Sequence, residues 1–348
     1  MDQYLHERSV GILETYQGDL ELVRKLRSSL SALINAEGPE RISLQASTSD
    51  SINLVAAGLP WKSGDRILLN DLEFPANIYP YLNLKRFGVE LDFIESRDGM
   101  VTPEMIEDAL TPRTRLLALS AVQFLSGHRA DLRAIGSLCR SRGVVFAVDA
   151  IQAVGATGID VQHMQIDALS AGAQKWQMGP HGTGFLYITQ ELQSRIHQQY
   201  LGWLSVQDPW EFRNLEQPLA VSARRYEGGS LNFPGIHGYH ASVATLLEFG
   251  LSAIEDHLLD LTTILFTQLA GLQQVKLITP ENRSARAGIV TIQLPSGIDG
   301  NRFLRKMEQE GITPALREGK IRFSPHFYNT PDEMERTAEA TARCLRNS

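Results

Sequence analysis

Apolar positions along this chain follow two rhythms. Leu20, Val23, Leu26, Leu30 and Leu33 recur three or four residues apart, which predicts one or two helices over the opening residues to about Ala36. From there to about Tyr187, short β-branched or apolar runs alternate with amphipathic stretches. Arg41–Ala46, Arg66–Asn70, Val89–Ile94, Leu116–Ala121, Val144–Asp149 and Gly184–Ile188 read as strands, and Ser51–Gly58 as a helix. Alternation of this kind predicts an α/β fold with a mostly parallel sheet between helices. The run Val144–Val148 is apolar without alternation, as suits a strand buried on both faces.

The pattern changes in the last third. Residues 201–230 are rich in Trp, Pro and Arg and read as a long irregular loop. Tyr239–Leu272 predicts one long helix. Val275–Thr279, Ile289–Leu294 and Ile321–Ser324 read as strands, with helices near residues 300–310 and 331–345. The expectation is a large domain over residues 1–250, N-terminal helices included, and a small α+β domain with an antiparallel sheet over 251–348.

Composition narrows the functional classes. The 348 residues are 43% hydrophobic and 21% charged, ordinary for a globular protein. The net charge of −7 is spread along the chain and argues against a nucleic-acid or membrane-surface partner. Cys139 and Cys344 are far apart, which argues against a disulfide framework or a cysteine metal site. Residues 1–8 hold no apolar core for a signal peptide, and no apolar run approaches the roughly 20 residues of a membrane span. The expected setting is the cytoplasm, without metal, membrane or nucleic acid.

Lys175 carries the strongest chemical signal. It follows the small residues Ala171, Gly172 and Ala173 and precedes Gly179-Pro180 and Gly182-Thr183-Gly184, and such glycines allow close backbone approach to a ligand. Upstream, a strand ends on Asp149 with Gln152 just beyond, and ligands of parallel sheets bind at the carboxyl ends of strands. Taken singly, the lysine is a solvated surface group and Asp149 a helix cap or metal ligand. Taken together, they supply an amine for an aldehyde cofactor and a carboxylate for a pyridinium nitrogen, the pair that pyridoxal phosphate (PLP) requires. A lysine held there away from bulk water is a competent nucleophile and base.

Other segments admit two readings each. Ser47-Thr48-Ser49-Asp50-Ser51, at a strand end, caps a helix, and the same geometry offers N–H groups and hydroxyls to a phosphate. A nucleotide-binding module would instead need a glycine-rich loop here, and Ser47-Thr48-Ser49 has no glycine. Phe74, in Glu73-Phe74-Pro75-Ala76-Asn77, is either core or a ring that stacks on a flat cofactor, a contact worth about 0.5–1.5 kcal/mol beyond burial. Gln152 is either a polar turn residue or a donor to a phenolate oxygen. Arg317 and Arg322 are either exposed or a clamp for an amino-acid carboxylate, and Arg322 lies within a strand that would fix its position. His128, His181 and His326 lack metal-ligand spacing and read as structural or peripheral.

Together these residues resemble the class V aminotransferase group of fold-type I PLP enzymes, which includes cysteine desulfurases, kynureninase and isopenicillin N epimerase. The resemblance runs from about Leu20 to the C-terminus. It is most specific in Val148-Asp149-Ala150-Ile151-Gln152-Ala153-Val154-Gly155 and in Gln174-Lys175-Trp176-Gln177-Met178-Gly179-Pro180. It implies that Lys175 forms the internal aldimine, Asp149 binds the pyridine nitrogen, Gln152 binds near the ring oxygen, and Thr48-Ser49 holds the phosphate. Phe74-Pro75 is similar to the ring-stacking segment of the kynureninase-like and epimerase-like branches. Gln123 falls where relatives place polar contacts to the cofactor. Gln174 stands where many relatives have histidine; it can donate a hydrogen bond but cannot be cationic. Tyr226–Ser230 is similar to the segment that reaches the partner subunit's phosphate, which implies a homodimer and a cofactor contact for Ser230. Arg322 matches the arginine that binds the substrate carboxylate, with Arg317 beside it.

Desulfurases carry a nucleophilic cysteine on a loop between the two arginine-bearing segments. Here only Glu318–Ile321 separate Arg317 from Arg322, and Cys139, with Leu132, Ile135 and Leu138 at helical spacing, reads as a core thiol. Sulfur abstraction through a loop cysteine is therefore not expected. Relatives also begin with an additional segment that helps line the substrate pocket, and this chain reads as starting after it. The resemblance implies a PLP-dependent enzyme acting on an amino acid or related primary amine, with transamination as the working reaction. An epimerase, a lyase, or a PLP-binding protein with little catalysis are the open alternatives.

Overall fold

A computed structural model describes residues 2–11 and 16–346. Helices α1 (Asp2–Ser9) and α2 (Tyr16–Leu33) fill the predicted N-terminal helical region, while residues 12–15 of that region lie outside the described residues. The predicted stripe of α2 is its buried face, with Val23, Leu26, Leu30 and Leu33 all in the core.

Seven strands form the large sheet: β1 (Ile42–Gln45), β2 (Arg66–Asn70), β3 (Glu90–Ile94), β4 (Thr114–Ser120), β5 (Val145–Asp149), β6 (Ala168–Gly172) and β7 (Gly184–Ile188). Their order is β1-β7-β6-β5-β4-β2-β3. Strands β2 to β6 pair in parallel, and β7 runs against both β6 and β1. Because β1 is antiparallel to β7, it points the same way as the parallel strands. The carboxyl ends of β1, β2, β4, β5 and β6 therefore meet along one edge, where Ser120 pairs with Asp149 and Asp149 with Ser170.

Helices α3 (Thr48–Gly58), α4 (Tyr79–Leu82), α5 (Pro103–Ala109) and α6 (Leu132–Arg142) link these strands, and α7 (Gln190–Arg195) follows β7. Successive strand residues enter opposite cores. Leu117, Leu119, Phe146 and Val148 pack on one face, and Leu116, Ala118, Val145 and Ala147 on the other, so both faces are covered as the apolar run in β5 demands. Strand β6, Ala168-Leu-Ser-Ala-Gly172, has no counterpart in the sequence reading. Its side chains are small where α3 packs against it, so it lacks the bulky β-branched signature. Helix α3 starts three residues before the predicted position, because the Ser47 hydroxyl accepts the Asp50 N–H as its N-cap.

The single long helix expected over 239–272 is two helices, α8 (Phe233–Phe249) and α9 (Leu251–Ala270). Gly250 divides them at φ +82°, a conformation that L side chains rarely adopt. A second, antiparallel sheet follows in the order β10-β11-β9-β8, from β8 (Lys276–Leu277), β9 (Val290–Gln293), β10 (Ala315–Arg317) and β11 (Lys320–Phe323), with α10 (Gly300–Gln309) and α11 (Pro331–Arg346) packed on it. Strand β10, too short to stand out in the sequence, makes Glu318-Gly319 a two-residue turn with both residues at positive φ. Helix α9 serves both cores: Ile254 and Leu258 join the large one, Leu261, Leu265 and Leu269 the small one. No helix among the described residues is long and apolar enough to cross a membrane.

Gly127, in the loop after β4, has φ +72°, and a Cβ there would lie 2.7 Å from the Ile289 carbonyl oxygen. Left-handed strain and overpacking act together, so Gly127→Ala is expected to destabilise the fold by about 2–4 kcal/mol in urea titrations.

Candidate active site

The shared edge of the sheet collects the polar residues. Ser47–Ser49 follow β1, Glu73 and Phe74 follow β2, Ser120 and Gln123 lie at and beyond the end of β4, Asp149 closes β5, and Lys175 follows β6. Residues from five strands thus converge although Ser47 and Lys175 lie about 130 positions apart in sequence.

Asp149 is 4% exposed, and its Oδ1 accepts the Ile151 N–H at 3.0 Å. Burial pushes its carboxyl up to about 7; the Ile151 bond and Lys175 pull it back, while Glu73 adds to the rise. A carboxyl poised there can pair with a basic heteroaromatic nitrogen, sharing one proton with it. Lys175 opens to solvent in the ligand-free chain, yet the protein around its amine lowers its pKa. Asp149 opposes that shift, and Arg322 and Arg317 reinforce it. The amine stands 5.9 Å from the centroid of the Phe74 ring. Phe74 is not core: it is 46% exposed and meets Phe124 edge-on at 5.3 Å.

Hydrogen bonds fix how the amides face. Trp176 Nε1, a donor only, donates to Gln152 Oε1 at 2.9 Å, so the NH₂ of Gln152 is the end left for a ligand oxyanion. Thr48 Oγ1 accepts the Gly172 N–H at 2.8 Å and keeps its own hydrogen to donate. Ser49 sits beside it in the first turn of α3, whose N–H groups have no intrahelical acceptor. The Gln174 side-chain oxygen lies near Thr48, since a Cβ on Gly172 would be 2.5 Å from it and 3.2 Å from Thr48 Oγ1. Gln123 Nε2 donates to Glu73, and Gln123 Oε1 is buried without a partner.

Arg322, half-buried on β11, donates through Nη1 to the Phe124 carbonyl at 2.6 Å, and its Nε is buried without a partner. Burial, then Arg317, holds its pKa below the usual arginine range. It has no salt bridge among the described residues, so its charge is open to an anion. Arg317 is exposed and donates to the Leu316 carbonyl, acting on Lys175 at longer range. Ser230 lines a cavity of about 430 Å³ with Gln45, Asp50, Gly182, Gly184 and Tyr226, and Lys175 does not line it.

The sequence reading missed three residues here. Glu73 accepts bonds from positions 70, 77, 120 and 123, a constellation that only the sheet assembles. Tyr81, on α4, is buried within electrostatic reach of Glu73 and Asp149. Trp176 orients Gln152 and stacks on His326 at 5.3 Å, so His326, read as structural or peripheral, supports the segment that carries Lys175. His128 is buried and bonds the Val101 carbonyl, a structural role, and among the described residues no cluster of His, Cys, Asp or Glu is arranged to hold a metal ion.

Comparison with known proteins finds relatives over most of the chain. The family model described as aminotransferase class-V matches residues 8–336. A probable cysteine desulfurase of Methanothermobacter thermautotrophicus is 28% identical over 92% of this chain and 84% of its own length. The uncharacterized aminotransferase YcbU of Bacillus subtilis is 27% identical over 93% of this chain and 84% of its own. Among solved structures, the apo cysteine desulfurase of Thermococcus onnurineus superposes with a TM-score of 0.89 at 25% identity, covering 97% of this chain and 87% of that one.

The raised Asp149 carboxyl has a consequence for stability. The folded chain keeps a proton that the unfolded chain releases near pH 4, so this contribution favours the ligand-free fold in acid and is lost as pH rises from about 4 through about 7. Asp149→Asn should therefore raise the ligand-free Tm at pH 8, with the gain disappearing toward pH 5. A gain of equal size at both pH values would show that the buried charge is not its source.

Proposed function

The chain belongs to the aminotransferase class-V family, and we propose that it transaminates an α-amino acid held by its carboxylate on Arg322, with Lys175 moving the Cα proton, as a homodimer. Its cofactor is pyridoxal 5′-phosphate, on which the family depends. When bound, PLP condenses with primary amines and accepts the electron pair left on Cα as the proton departs.

The residues present fit that cofactor. Asp149, poised about 7, keeps a proton on the ring nitrogen. The free NH₂ of Gln152 suits the ring's oxyanion, and Phe74 suits one face of the ring. Thr48, Ser49 and the first turn of α3 suit the phosphate, with Gln174 beside them. Ser230, in its own cavity, suits the phosphate held by a second subunit.

Lys175 can then play two parts. Its lowered pKa leaves more of the amine neutral than an ordinary surface lysine would have, so it would be a competent nucleophile toward an aldehyde. With cofactor and substrate bound, the same neutral amine would take the Cα proton and return it elsewhere. Arg322 orients the substrate through its carboxylate. The observation that carries the reading is this guanidinium, half-buried and without a counter-ion among the described residues, acting electrostatically on a lysine that Asp149 also acts on.

The second reading is a lyase cleaving a C–S bond, favoured by the desulfurase names of the relatives. A nucleophilic cysteine has little support. Glu318-Gly319 is a tight turn, Cys139 is 1% exposed with its thiol pushed up to about 12 by burial, and Cys344 is buried on α11.

Single-turnover assays over an amino-acid panel separate the readings. Transamination gives stoichiometric 2-oxo acid without ammonia, and a second 2-oxo acid restores the starting form; ammonia with sulfide from cysteine, or ammonia with cysteine persulfide from cystine, would favour the lyase. Lys175→Ala should abolish the borohydride-stable PLP adduct, and an adduct that persists would sink the assignment. Arg322→Ala should raise KM for amino acids about tenfold or more while PLP affinity stays within about threefold. Equal losses in both would make Arg322 structural.

A further inference from the structure

Glu73 is 5% exposed, and its carboxylate accepts five hydrogen bonds. Oε1 takes Asn70 Nδ2 at 2.7 Å, the Ser120 N–H at 2.8 Å and Gln123 Nε2 at 2.9 Å. Oε2 takes Asn77 Nδ2 at 2.9 Å and the Ser120 hydroxyl at 2.5 Å. These donors come from the end of β2, the turn at Pro75–Asn77, the end of β4 and the loop beyond it. One carboxylate thus ties together segments that approach the cleft from separate strands.

Two consequences follow from its chemistry. An ionised carboxylate can only accept, so the nitrogen end of the Gln123 amide must face it. The oxygen end is then left buried with no partner. A buried acceptor seeks a donor, and a phenolate, a phosphate and a substrate carboxylate are all acceptors. The N–H that suits this oxygen belongs to an amine, either Lys175 or the substrate's own. Second, the Asn77 bond holds a turn that the Asn77 N–H closes onto the Phe74 carbonyl at 2.8 Å. Phe74 is the next residue after Glu73, and its ring stands 5.9 Å from the Lys175 amine.

We propose that Glu73 is a positioning residue of the cofactor cleft, fixing the Gln123 amide so that its oxygen is left for an amine N–H and holding Phe74 at its place beside Lys175. This rests on the PLP reading above. Glu73 also brings a negative charge near Asp149, whose other ionisable neighbours are Lys175 and Tyr81.

Two substitutions test it. Glu73→Leu removes the acceptors. Glu73→Gln keeps the size and, with the Asn77 amide and Ser120 hydroxyl turned round, keeps an acceptor for Gln123 while removing the charge. PLP dissociation constants are measured beside circular dichroism and the pH dependence of the ligand-free Tm. The leucine variant, folded by circular dichroism, should bind PLP about tenfold more weakly or worse, while the glutamine variant stays within about threefold. In the glutamine variant the midpoint of the pH-dependent fall in Tm should move to lower pH, because one influence that keeps the proton on Asp149 is gone. If the leucine variant does not fold, Gln123→Met tests the same link: substrate-amine affinity should fall about tenfold in a chain that stays folded by circular dichroism. Wild-type affinities and an unmoved pH midpoint in these variants would overturn the proposal. A wild-type chain that fails to bind PLP would overturn the cofactor reading with it.

Discussion

A carboxylate buried at the end of β5 sets the terms for everything around it. Water cannot solvate Asp149, and among the described residues no cation is bonded to it, so its ionised form is costly in the ligand-free chain. The cost is tolerable because one backbone N–H and the field of Lys175 partly compensate. A ligand that brings a protonated ring nitrogen removes the rest of that cost. The site is therefore least comfortable when empty, which is how a fold can bind a small cofactor tightly with few direct contacts.

Topology makes this arrangement possible. The reversal at β7 lets β1 rejoin the direction of the parallel strands, so the first turn of α3 reaches the same edge as Asp149 and Lys175. The small sheet supplies the remaining cation. Arg322 reaches across from β11 to the Phe124 carbonyl, and Thr291 on β9 donates to the Leu125 carbonyl, so two strands grip the same loop after β4. The guanidinium is consequently registered to the large sheet as firmly as to its own.

Much of this was legible from the sequence, for reasons that differ by element. Asp149, Gln152, Gln174 and Lys175 sit in short contiguous runs whose spacing survives in a single chain, and the strands bearing bulky apolar side chains were visible from composition. Strand β6 was not, because a strand pressed under a helix is built from Ala, Ser and Gly and loses its hydrophobic signature. The break at Gly250 was not, because flanking residues keep helical periodicity through one glycine. Glu73 stood in a segment singled out for Phe74, yet its role depends on Asn70, Asn77, Ser120 and Gln123 together. Only the first two of those are its sequence neighbours.

Helix α9 gives the two sheets a common beam. Its first half belongs to the large core and its second half to the small one, with no glycine or proline along its twenty residues to act as a joint. Rotation of the small sheet must therefore turn the far end of a rod whose near end is clamped. Grafting the C-terminal region of a relative onto this chain would succeed or fail on where that rod is cut. A splice between Leu258 and Leu261 leaves each half of the rod in its own core, whereas one at Gly250 carries the whole rod and makes the large core accept a foreign Ile254 and Leu258 face.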